Sequence, residues 1–218
     1  MKLIVPLLSV LLLSGCYSTA NMQPDANTSH AHMGHIMNSW GDTPNKAGLL
    51  PTAMEEAKIA RQHAGFAAQK PTDLAWMKMH VQHVMHAMEP ESVAQGPGLG
   101  YGLVKAANGV AKHANLAAAS EDASANVKTH AEHVSTSAGN AAALGQQIID
   151  LGKQVQATGN AADAAPLVER IESLSLRIME GFDADGDGQV TWGEGGLAQA
   201  AQHMEFMYKG EGMMMPGA

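Results

Sequence analysis

The sequence predicts an all-α protein, an up-down four-helix bundle followed by a C-terminal helix–loop–helix. Three observations predict it. Hydrophobic residues make up 45% of the chain but aromatics only 4%, so the core must be built from small and aliphatic side chains in closely packed helices. β-branched residues are scattered and nowhere alternate with polar ones, which removes the strand signal. Residues about 123 to 157 carry a 3-4 spacing through Val127, His130, Val134, Ala141, Ile148 and Val155, the seam of a helix packed in coiled-coil fashion.

The elements follow in order. Thr52 and Glu55 read as a capping box opening a helix over about 53–69. Pro71 breaks it, and Asp73 caps a second helix over about 74–89, which ends at Pro90. The glycine-rich stretch PESVAQGPGLG turns the chain into a third helix over about 101–119, and Ser120-Glu121-Asp122 turns it again into the long fourth. ATGNAAD ends that helix, Pro166 falls in the first turn of a fifth reaching Phe182, and the helical pattern resumes through LAQAAQHMEFMY. The expected organisation is a signal segment over 1–15, a disordered His- and Met-containing tether over 16–50 and the bundle over 51–160. The helix–loop–helix follows over 161–210, and a flexible Met-rich tail over 211–218. No repeat of fixed period is present, and a net charge of −8 argues against nucleic acid as a partner.

Lys2 and the apolar run Leu3–Leu13 form a segment too short to span a bilayer, followed by Leu13-Ser14-Gly15-Cys16. This resembles the lipobox of bacterial lipoproteins. The resemblance implies cleavage before Cys16, acyl chains on that residue, and a lipid-anchored protein of the cell envelope. Cys16 is the chain's one cysteine, so an internal disulfide is impossible. Tyr17 stands where an aspartate would favour inner-membrane retention, which points to the outer membrane facing the periplasm.

Residues 183 to 194, DADGDGQVTWGE, match the EF-hand calcium loop. Asp183, Asp185 and Asp187 fill positions 1, 3 and 5, Gly188 permits the turn at 6, and Gln189 offers its carbonyl at 7. Thr191 stands at 9, and Glu194 at 12 can bind in bidentate fashion. The sequence holds no second loop. EF-hands usually pair through position 8, here Val190, so this one must pair with another molecule, as in a homodimer, or pack against its own bundle.

The histidines carry the remaining chemistry. His80 lies on the inward face of the second helix, His83 sits beside it and His86 is near the edge. His63, His113 and His130 fall on the apolar stripes of the other three bundle helices, with His133 one turn beyond His130. Counted from the helix ends, His63, His80, His113 and His130 share one depth, with His83 and His133 beneath them. Imidazoles are costly to bury together unless something accepts their lone pairs, and a metal ion does so. The pattern is similar to the ligand pattern of ferritin-like dinuclear bundles, with imidazoles in place of carboxylates. An all-nitrogen set shifts the expected metal to copper or zinc. A dinuclear redox site, a b-type haem held by two of these histidines, and a purely structural envelope lipoprotein stabilised by calcium are the alternatives. Covalent haem attachment is excluded, because it needs a second cysteine. The tether's HAHMGHIM reads as a mobile acquisition arm. No nucleophile triad or phosphate loop is present, so the reading leans to metal binding without catalysis.

Overall fold

A computed structural model describes residues 27–216. The expected signal segment and the lipid attachment at Cys16 lie outside them. The described residues form seven α-helices and no strand: α1 (Thr28–Met37), α2 (Leu49–Ala68), α3 (Leu74–Met88), α4 (Leu103–Ala119), α5 (Ala125–Ala157), α6 (Ala161–Glu180) and α7 (Leu197–Gly210). None of them is long and apolar enough to cross a membrane.

The largest departure from the sequence reading is α1. The stretch expected as part of a disordered tether is a capped helix, with Asn27 Oδ1 accepting from the His30 backbone N–H at 2.9 Å. Its stripe Ser29, Met33 and Ile36 is fully buried and packs chiefly on α4. The Ser29 N–H is taken up by Asp122 in the turn before α5. Gly48 lets the chain return beneath this helix, because a Cβ there would stand 2.4 Å from the Met37 carbonyl carbon.

Two expected helix starts are also corrected. α2 begins at Leu49 with Gly48 at its N-cap, and Thr52 is one turn inside, donating to the Gly48 carbonyl at 2.8 Å. Pro166 lies inside α6 rather than in its first turn, since Asn160 caps that helix ahead of Ala161. Asp73 does cap α3, accepting from the Trp76 N–H at 3.0 Å.

α2 packs on α3 and α4, and α5 packs on α3 and α4, closing a ring of four. The order around that ring is not the simple up-down one, because α3 and α4, consecutive in sequence, barely touch. Glu56, fully buried on α2, holds the connection between them. Its carboxylate accepts from the N–H groups of Leu99, Tyr101 and Gly102 at 3.0–3.1 Å. α6 docks on α5 and α2, and α7 on α5.

Candidate metal centres

Nine histidines come together in three separate clusters, each a His-x-x-His pair from one helix plus a third histidine from another element. The first is His32 and His35 of α1 with His113 of α4, the second His80 and His83 of α3 with His63 of α2. The third is His130 and His133 of α5 with His203 of α7. The i, i+3 spacing puts both members of a pair on one helix face.

The same ring atoms meet in all three. His32 Nδ1 lies 3.0 Å from His113 Nδ1. His63 Nδ1 meets His80 Nδ1 at 3.0 Å and His83 Nδ1 at 3.3 Å. His203 Nδ1 meets His130 Nδ1 at 3.0 Å and His133 Nδ1 at 3.3 Å. One imidazole nitrogen carries either one proton or one lone pair, so a nitrogen facing two others satisfies one of them and leaves the other over. Whichever tautomers are present, hydrogen bonding alone does not close the second and third clusters. A single ion does: with ligand nitrogens about 2.05 Å from a tetrahedral centre, neighbouring nitrogens are separated by about 3.3 Å. Two further nitrogens, His35 Nδ1 and His80 Nε2, are buried with no hydrogen-bond partner.

Electrostatics favours the ligating, neutral form. His63, His113 and His203, one per cluster, are pushed down to about 4, by burial first and then by the other imidazoles of their own cluster. Burial also lowers His32, His80, His83 and His130. These groups stay uncharged at neutral pH, the state a metal requires.

Each cluster is walled by one of the chain's three tryptophans. Trp40 lies against His113 and His35, with ring centroids 4.6 and 4.9 Å apart. Trp76 lies 4.3 Å from His80, with Phe66 behind it. Trp192 stacks flat on His133, at 4.4 Å and an interplanar angle of 15°.

The single six-histidine layer expected from helix depth is therefore not formed. His63, His80 and His83 do share a cluster, but His113 turns to α1, and His130 and His133 turn to α7. Equal depth would gather these histidines only if all four helices faced one axis. In the fold, α1 and α7 dock on the outside of that ring and offer α4 and α5 a second apolar face. His32 and His35, expected only within a mobile acquisition arm, are fixed on α1 in the first cluster, and His203 joins the third without having been expected as a ligand. The signal for the first two was His-x-x-His itself, which recurs at 32/35, 80/83 and 130/133. His86 joins no cluster and pairs instead with the Pro97 carbonyl at 3.0 Å. His30 pairs with Glu211.

The acidic loop joins α6 to α7. Asp183, Asp185 and Glu194 offer carboxylate oxygens that lie within 4.8 Å of one another. Gly186 and Gly188 take φ of +77° and +86°, a left-handed conformation that side chains disfavour. Asp183 accepts from the Gly186 and Gly188 N–H groups, and Glu194 reaches back to those of Ala184 and Asp185. Asp187 Oδ1 accepts from the Gln189 N–H. The Glu194 backbone carbonyl accepts from Phe182 N–H at 3.1 Å, tying the two ends of the loop together.

Among the described residues, fold and site together define an all-helical protein with several histidine clusters that could hold metal. No family model, curated protein or solved structure matches it.

Proposed function

We propose that this chain is a metal-binding lipoprotein of the cell envelope, which holds calcium in the acidic loop and a transition metal, copper or zinc, at its histidine clusters. The convergence of Nδ1 atoms at 3.0–3.3 Å in the second and third clusters, with His32 and His113 meeting at 3.0 Å in the first, carries the reading. Each cluster offers three nitrogens to one point, so the sites are mononuclear rather than one dinuclear centre. Nitrogens already in contact leave no slot for a porphyrin between them, which disfavours the haem alternative. The donor set is neutral and free of carboxylate, as copper or zinc prefers.

The ring of α2, α3, α5 and α4 is read as a four-helix bundle, with α6, the loop and α7 as an EF-hand. Ser137 and Asn140 of α5 donate to the carbonyls of Trp192, Gly193 and Gly195. That bracing supports a hand packed against its own bundle, without a second copy. The lipobox supports attachment of Cys16 to the outer membrane.

Elemental analysis of the full chain, purified without chelator, tests the reading. About three copper or zinc ions and one calcium per chain are expected. A protein that stays free of transition metal after incubation with either ion would reject it.

A further inference from the structure

The third cluster differs from the other two in what surrounds it. Its tryptophan comes from the acidic loop: Trp192 stands between Thr191 and Glu194, two of the expected calcium ligands, and its ring is stacked on His133. The Trp192 carbonyl accepts from Ser137 Oγ at 2.9 Å, one turn beyond His133 on α5. On its other side the loop feeds α7, which carries His203, and Gln199 of α7 donates to the Val190 carbonyl at 2.8 Å. Two of the three histidines are therefore placed by the loop, His133 through the indole and His203 through its helix. The aromatic neighbours of the first cluster (Trp40) and the second (Trp76 and Phe66) come from outside the loop.

We propose that the acidic loop and the His130–His133–His203 cluster form one composite site for two cations, in which calcium and a transition-metal ion strengthen each other's binding. The inference rests on the metal-binding reading above. Its physical basis is shared ordering. The segment from Val190 to His203 contains Gly193, Gly195 and Gly196, residues that lose the most backbone freedom when fixed. An ion on Glu194 fixes the segment from one side, and an ion on His203 fixes it from the other. Whichever ion binds first meets that ordering cost, and the second finds its ligands already in place. The coupling is reciprocal, so each ion raises the other's affinity by the same factor.

Zinc is the probe, because it has no redox chemistry. The full chain, stripped of metal in resin-treated buffer, is titrated with zinc against a competing chromophoric chelator, with and without saturating calcium. Calcium binding is measured separately on zinc-free protein. Two zinc equivalents should be indifferent to calcium, and the third should tighten about tenfold or more, within the range usual for coupled sites. The calcium-sensitive equivalent should disappear in His203→Ala and persist in His80→Ala. Trp192→Leu keeps every ligand and should lower the coupling factor, leaving the part carried through α7 and His203. Three equivalents with affinities unmoved by bound calcium would overturn the inference and leave the metal-binding reading standing. A chain that binds no zinc, or no calcium, would overturn the inference, and one that takes up neither zinc nor copper would overturn the metal-binding reading as well.

Discussion

The second and third histidine clusters use the same donor atoms and nearly the same distances, yet they are built in opposite ways. The second is local. Its histidines lie on α2 and α3, joined by a short turn, and the contacting pairs are 17 and 20 residues apart. The third draws together residues 73 and 70 apart, and it also needs a tryptophan from a loop whose own order depends on carboxylates. Cost of closure rises with the length of chain enclosed. A cluster on a hairpin is therefore close to preformed, whereas one spanning α5, the loop and α7 depends on everything between them. On the proposed reading, the difference separates a site that would bind its ion independently from a site whose affinity would respond to a second ion.

The largest effect comes from the scaffold that both clusters share. Removing the Glu56 carboxylate leaves three N–H groups without their acceptor, two of them in buried residues. At ~1–3 kcal/mol for each buried donor left unsatisfied, Glu56→Ala should cost about 3 kcal/mol or more in denaturant unfolding. Both clusters should lose metal in the same transition. Separate transitions would mean that the second and third clusters sit in independently folding parts.

Single ligands separate the clusters. His80→Ala should release one transition-metal equivalent and leave calcium affinity as it was. His203→Ala should also release one, and should remove the roughly tenfold gain in calcium affinity that zinc otherwise confers. Calorimetric calcium titration of the two variants, each saturated with zinc, compares them directly. If both lose the gain, the third cluster has no privileged link to the loop.

Acid should distinguish them more gently. In the second cluster all three histidines are depressed, His63 to about 4; in the third, His203 is depressed to about 4 and His130 is lowered. Between the ordinary value of 6.5 and about 4, the unfolded chain takes up protons that the folded chain refuses. Stability of the metal-free protein should therefore be full above pH 6.5 and fall as the pH drops through that window. Bound metal should push the loss to lower pH. Thermal melts of metal-free and zinc-loaded protein across this range check both statements, and a metal-free protein that gained stability on acidification would contradict them.

Much of this was legible in the sequence, and the failures share one cause. Asp73 announced α3, the 3-4 seam announced α5, and His80 was placed inward by its neighbours. The periodicity of one helix does not reveal which other helix will cover it. His113 lies on a true apolar stripe, but its ring turns to α1, whose three buried residues at i, i+4 and i+7 sit among polar ones and between prolines. His203 was hidden differently, beyond an acidic loop that read as a separate module. Pairing of distant elements is a tertiary fact, and sequence spacing constrains it only weakly.

The smallest expected effect bears on the comparison most sharply. One ion pair links the helix of the second cluster to the helix that leads into the acidic loop: Arg61, two residues before His63, reaches Glu180, the last residue of α6, at 3.0 Å. A coupling route through this pair would make the second cluster sensitive to calcium as well. The pair is badly placed to act as one, because its side chains are 50% and 60% exposed. Solvent and salt screen such a contact, and exposed pairs contribute roughly 0–1 kcal/mol. Arg61→Gln should therefore shift unfolding by less than about 0.5 kcal/mol and leave the number of calcium-sensitive zinc equivalents at one. Repeating the zinc titration on Arg61→Gln at low and high ionic strength tests it. If the second cluster of the parent tightens with calcium at low salt and loses that response in the variant, the two clusters differ in degree only, and the division between an independent and a responsive site fails.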